Sequence, residues 1–143
     1  MNNLELEKLK DRAVVIAITH DEARIWLLND ESSQPIHVIV REEQEHIHVR
    51  QAQAHHGHAS EIGEPNFFDD IADVLTHTSD IVLLGHGTGK ANAAERFERH
   101  IGDHHKSILE RIAVEWNVNI PALTEGELIA EARRRWKASA DLI

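Results

Sequence analysis

The sequence has no cysteine, so disulfide bridges and thiolate-bound metal are excluded. A reducing compartment, the cytoplasm, fits that absence. Apolar runs are short, and none approaches the length a membrane-spanning helix needs. The charged start, Met1 to Arg12, has no signal-peptide character. Positive charge is scarce: 15 Lys and Arg stand against 25 Asp and Glu, for a formal net charge of -10. That balance disfavours a protein that coats nucleic acid over its whole surface and leaves room only for a local basic patch. A Gly-x-Ser-x-Gly elbow is missing too, so Ser32, Ser33, Ser60, Ser79, Ser107 and Ser139 have no nucleophile context.

Histidine, by contrast, is abundant. Twelve of them make the net charge unusually sensitive to mild acid. Hydrophobic residues reach 41% over 143 positions, enough for one domain with a real core.

The chain is organised around Asp80 to Ala94. Ile81 to Leu84 is an apolar run with no polar alternation, which predicts a strand buried on both faces. Gly85, Gly87 and Gly89 then turn the chain, Thr88 is the expected N-cap, and Ala91, Ala94, Phe97 and Ile101 recur at helical spacing as far as Gly102. Upstream, Ala13 to Thr19 is a second apolar strand. Ala23 to Leu28 is its hairpin partner, with Ile25 and Leu27 expected on the opposite face from Arg24 and Trp26. Ile36 to Arg41 and Glu45 to Arg50 read as further strand, and Gln51 to Glu64 as a loop. Pro65 and Asn66 open a helix with Phe67, Phe68, Ile71, Val74 and Leu75 on its buried stripe. Residues 104–119 fit helix or strand. The β-branched residues favour strand from about Glu110 to Val118. Thr124 and Glu127 form a capping box for a last helix that buries Leu128, Ile129, Ala132 and Trp136.

The resulting order is βββαβαβα: three antiparallel strands, then parallel crossovers. That is an α/β, ribonuclease H-like order with a mixed sheet and flanking helices. We expect a lead-in over 1–12, a single domain over 13–138 and a tail over 139–143.

A set of short segments along this order resembles a known family. They are Ala17-Ile-Thr-His-Asp-Glu-Ala-Arg-Ile25, the pair His46 and His48, the loop ending Gly57-His58, Phe67-Phe68, Ile81 to Gly85 with Lys90, and Leu123-Thr-Glu-Gly-Glu-Leu-Ile-Ala-Glu-Ala-Arg-Arg-Arg-Trp136. Together they resemble small bacterial translational machinery proteins, a family similar to the central domain of eukaryotic and archaeal class-1 release factors and of Pelota. The resemblance covers roughly Ala13 to Trp136. It implies a ribonuclease H-like fold and a link to ribosomes or RNA. Release factors carry a Gly-Gly-Gln motif in the loop before the first long helix, and the matching loop here offers Gln51-Ala52-Gln53. Without the glycine pair the backbone lacks the freedom that motif needs, so peptide release is not expected.

Each chemical candidate has a plainer rival. The turn Gly85-His86-Gly87-Thr88-Gly89-Lys90, with Arg50 and Arg96, could hold an anion or an RNA backbone. It is not a Walker A loop: three residues, not four, separate Gly85 from Gly89, and Ala91 stands where a hydroxyl would hold magnesium. Its rival reading is a tight strand-to-helix connection. His46, His48, His55, His56 and His58 could bind a divalent metal such as zinc or nickel, and the rival is a solvated polar face. His104 and His105 read as a helix-terminus pair. A ribonuclease H-type nuclease needs a carboxylate in the middle of its first strand, and Ala13 to Thr19 has none. Arg133, Arg134, Arg135 and Lys137 read as a solvated helix face before a contact with RNA phosphate.

The leading expectation is a non-enzymatic, cytoplasmic accessory protein of the ribosome or of RNA, with no required cofactor and no membrane contact. The alternatives are a histidine-rich metal-binding protein and an interaction module that works through a sheet edge or helix face, association between copies included.

Overall fold

The computed structural model describes residues 3–42 and 63–141. Its centre is β1 (Val14–Ile18), five residues that are all buried. β1 pairs antiparallel with β2 (Glu22–Leu27) on one side and parallel with β4 (Ile81–Gly85) on the other. β3 (His37–Val40) continues the antiparallel side and β5 (Ile112–Asn117) the parallel side. Among the described residues the sheet is five-stranded in the order β3-β2-β1-β4-β5, the mixed α/β sheet the sequence predicts; the expected strand Glu45 to Arg50 lies outside the described residues.

Helices cover both faces because every residue of β1 and β4 is apolar or glycine and needs a partner on each side. One face carries α1 (Asn3–Leu9), α2 (Glu64–Leu75), α3 (Ala93–His104) and the short α4 (Lys106–Leu109). There Ile16, Ile18, Ile25, Leu83, Phe67, Phe68, Ile71, Leu75, Phe97 and Ile101 form one cluster. The other face carries α5 (Glu125–Asp141), where Val15, Trp26, Val82, Leu84, Leu128, Ile129 and Ala132 form a second. No helix among the described residues is long and apolar enough to cross a membrane.

Local chemistry sets the joints. The capping box of α5 is present in full: the Thr124 N–H donates to Glu127 Oε1 at 2.9 Å, and the Glu127 N–H to Thr124 Oγ1 at 3.1 Å. Leu9 of α1 is fully buried, so the lead-in contributes to the core. Residues 104–119 resolve into both alternatives in turn: α3 runs past Gly102 to His104, α4 follows, and β5 begins at Ile112. The strand is irregular at its start. Ile81 faces Ile112 and Val82 faces Val114, so one extra residue lies between them.

The alternation in β2 is as expected: Ile25 and Leu27 pack on one face, and Arg24 and Trp26 lie on the other. That second face is covered by α5, so Trp26 is fully buried, with its Nε1–H donating to the Ser33 carbonyl at 3.0 Å. One expectation is corrected. Thr88 does not cap the helix after the glycine turn. Gly89–Ala91 is a separate 3-10 turn, and Asn92 caps α3, its Oδ1 accepting the Ala94 and Glu95 N–H groups at 2.9 and 3.2 Å. Asparagine is as good a cap as threonine, and here it is buried. The close packing explains Gly85. A Cβ there would lie 2.5 Å from Asn92 Oδ1 and 2.7 Å from the Ala94 Cβ.

Candidate functional site

The glycine turn sits at the carboxyl end of β4, where open α/β sheets place their ligands. Gly87 and Gly89 take positive φ values of 93° and 55°, conformations that a side chain resists. Side chains brace the turn from three directions. The Gly87 carbonyl accepts from Asn117 Nδ2 at 2.7 Å and Asn92 Nδ2 at 3.3 Å. His86 Nδ1 lies 3.2 Å from the Val118 carbonyl. Arg96 donates to the Lys90 carbonyl. His86, Thr88, Gly89 and Lys90 remain exposed at the surface. Lys90 lies in the 3-10 turn rather than in the first turn of α3, and the two amides at the start of that helix are engaged by Asn92.

Arg96 is held in a second contact. Its Nε lies 2.9 Å from Glu64 Oε1, and Arg41 Nη1 lies 3.2 Å from Glu64 Oε2. Arg41 also donates to the His20 carbonyl at 3.4 Å. This ionic clasp joins the end of β3, the start of α2, α3 and the β1–β2 turn. Its members are largely buried, with side-chain exposures of 2% for Arg41, 14% for Glu64 and 22% for Arg96.

A further group lies on the outer side of α2 and α3. Asp69 Oδ1 sits 2.6 Å from His100 Nε2 and 2.9 Å from His105 Nε2. These hydrogen bonds, that from His100 first, hold the Asp69 carboxyl below its ordinary range. His100 packs on Phe68, with ring centroids 5.6 Å apart, and on His104 at 4.7 Å. His104 and His105 do mark the end of α3, as expected. Sequence reading missed their link to Asp69, since the three share no fixed spacing and the nearest signal is a histidine on each side of a helix end.

The remaining candidates divide. Gln51, Gln53, Arg50, His46, His48, His55, His56 and His58 lie outside the described residues. In α5, Arg133 caps the end of β2 and its turn, donating to the carbonyls of Leu27, Leu28 and Ser32. Arg134 and Arg135 both bind Glu131, whose carboxyl they pull down to about 2, and Arg135 stands over the Trp116 ring. Arg134 and Lys137 are exposed, as a solvated helix face has them, whereas Arg133 is turned onto the sheet and partly buried.

Glu98 of α3 and Glu115 of β5 meet on the same side of the sheet. Burial first, then a hydrogen bond shared with Glu115 and the repulsion between the two, push the Glu98 carboxyl from 4.5 up to about 8. A carboxyl raised in the folded state stabilises the fold below its unfolded value, and that stability is lost as pH rises through the folded value. The melting temperature is therefore expected to drift down between pH 4.5 and 8, and Glu98→Gln, fixed in the neutral form, to flatten that part of the drift. Parallel melting curves for the two proteins across the window would remove the pair from the pH response.

Comparison with known proteins gives one structural likeness. No family model matches the chain, and no curated protein does. The chain is similar in structure to Pelota. The match is to the crystal structure of the Thermoplasma acidophilum Pelota protein, with 19% sequence identity and a TM-score of 0.49. It covers 90% of this chain and 39% of Pelota, so the chain spans about two fifths of that protein's length.

Proposed function

We propose that the chain is a non-enzymatic accessory protein that associates with the ribosome or with RNA through the Gly85–Lys90 turn. The observation that carries this reading is the placement of the resembling segments. Ala17 to Ile25 makes the β1–β2 hairpin, Phe67-Phe68 the buried stripe of α2, Ile81 to Gly85 the strand β4, and Leu123 to Trp136 the entry and body of α5. Each forms an ordered element of the mixed α/β sheet or of the helices packed on it, which supports the resemblance. The middle of β1 carries Ile16, with no carboxylate for nuclease chemistry.

The contact would be local, since the overall charge of -10 repels a polyanion elsewhere. Lys90 supplies the exposed cation, and His86 and Thr88 supply side-chain hydrogen bonds. Arg96, engaged by Glu64, acts by holding the turn's backbone. Co-sedimentation with ribosomes across a salt series tests this. Wild type is expected to bind at low salt and to be released as salt rises, and Lys90→Ala to flatten the salt slope by about one unit. No co-sedimentation at low salt, or identical curves for the two proteins, would sink the reading. A second reading, an interaction module working through the sheet edge, is favoured by β3, where Val38 and Val40 are 39% and 64% exposed at the end of the strand order among the described residues.

A further inference from the structure

We propose that Asp69, His100 and His105 form a binding site for one divalent transition-metal ion of the zinc class. The three side chains bring one carboxylate oxygen and two imidazole nitrogens within 4.8 Å of one another. Both rings turn the same atom, Nε2, toward the same oxygen, Oδ1. That oxygen can accept both hydrogen bonds; with the protons displaced, the two rings bring two nitrogen lone pairs to the same point. Two imidazoles and a carboxylate are the donor set that zinc takes when three protein ligands leave a fourth position open. Without sulfur, and with nitrogen predominating, they suit zinc, nickel or cobalt better than calcium or magnesium, which take oxygen shells.

The site is largely preformed. Asp69 is carried by α2, which is anchored in the core through Phe68, Ile71 and Leu75. His100 is carried by α3, anchored through Phe97 and Ile101, and its ring rests on Phe68, itself edge-on to Phe97 at 5.5 Å. His105 sits at the break between α3 and α4, where the change of direction brings its ring back to Asp69. Bonds of about 2.0–2.1 Å would hold tetrahedral ligand atoms roughly 3.3 Å apart. The present spacings of 2.6 and 2.9 Å are those of hydrogen bonds. An ion that replaces the bridging protons would spread each carboxylate–imidazole pair by about half an ångström, while the two imidazole nitrogens, within 4.8 Å of one another, would close toward the same spacing. Access is open: the side chains of Asp69, His105 and His100 are 47%, 27% and 14% exposed. Bound at this site, the ion would join α2 to the α3–α4 joint, and so stabilise the folded state in proportion to its occupancy.

This site shares no residue with the proposed ribosome or RNA contact or with the histidines of residues 43–62. Its test is metal binding by the full chain: equilibrium dialysis against Zn2+ at pH 7.5, the visible spectrum of bound Co2+, and the melting temperature with and without zinc. The expected result is a tight equivalent of zinc per chain, a tetrahedral cobalt spectrum and a zinc-dependent rise in melting temperature. Asp69→Asn and His105→Gln keep side-chain size and can each still hydrogen-bond, so both should fold. Each is expected to weaken that equivalent by about tenfold or more, the loss that follows even when an outer partner of a ligand is removed. A variant with His46, His48, His55, His56 and His58 all changed to Gln should keep it. The proposal is overturned by no tight zinc in wild type, by unchanged affinity in both Asp69→Asn and His105→Gln, or by loss of the equivalent in the five-histidine variant alone.

Discussion

Leu83→Ala is expected to cost about 2–5 kcal/mol of folding stability, the range for a buried leucine cut back to a methyl group. Leu83 is fully buried on β4, lies level with Ile16 of the central strand, and belongs to the cluster beneath α2 and α3. Its neighbours there are held by sheet pairing on one side and two anchored helices on the other. The cavity can therefore collapse only in part, and the upper half of the range is the better expectation. The measurement is the urea midpoint, with the slope unchanged so that the shift reports stability. An unmoved midpoint would mean that β4 is not part of the core.

Glu64→Ala is expected to cost about 3 kcal/mol, the lower end of the range for breaking a buried ion pair from one side. Glu64 serves two guanidinium groups, and the Arg41 side chain is 2% exposed, so little water replaces the lost carboxylate. The other contacts of Arg41, among them those to the His20 carbonyl and Nδ1, keep the figure at the lower end. Glu64→Gln should lose less than Glu64→Ala, because the amide oxygen still accepts a hydrogen bond though the charge is gone. The check is chemical denaturation of both variants beside wild type. Equal stability of all three would place the clasp among surface pairs, which contribute little.

How much could be read from the sequence depended on the kind of signal. Apolar runs with no polar alternation located β1 and β4, and helical spacing located α2 and α5, because burial on both faces or on one stripe leaves a periodic mark. The capping box of α5 was legible to the residue, since its two partners are three apart in sequence. The cap of α3 was not. Thr88 and Asn92 are both good caps, and only the packing of Asn92 against Gly85 decides between them. Alternation in β2 separates Ile25 and Leu27 from Arg24 and Trp26, but does not say that the second face is covered. In the fold Arg24 pairs with Glu125 of α5 and lies over the Trp26 ring, on a face that is covered. The candidate sites were less legible still. The Gly85–Lys90 turn is contiguous and could be found, whereas Asp69 is brought to His100 and His105 only by the packing of α2 on α3.

The clasp has a consequence for how this fold can change over time. Arg41 and Glu64 stand on either side of residues 43–62, and their side chains meet at 3.2 Å. The two ends of that stretch are thus brought together by the scaffold itself, whatever lies between them. Closing a connection whose ends are already fixed depends only weakly on its length, about 0.6 kcal/mol for each doubling. So far as closure is concerned, a change in the length of that connection costs little. The clasp is therefore expected to hold the end of β3 to the start of α2 when the connection between them varies in length.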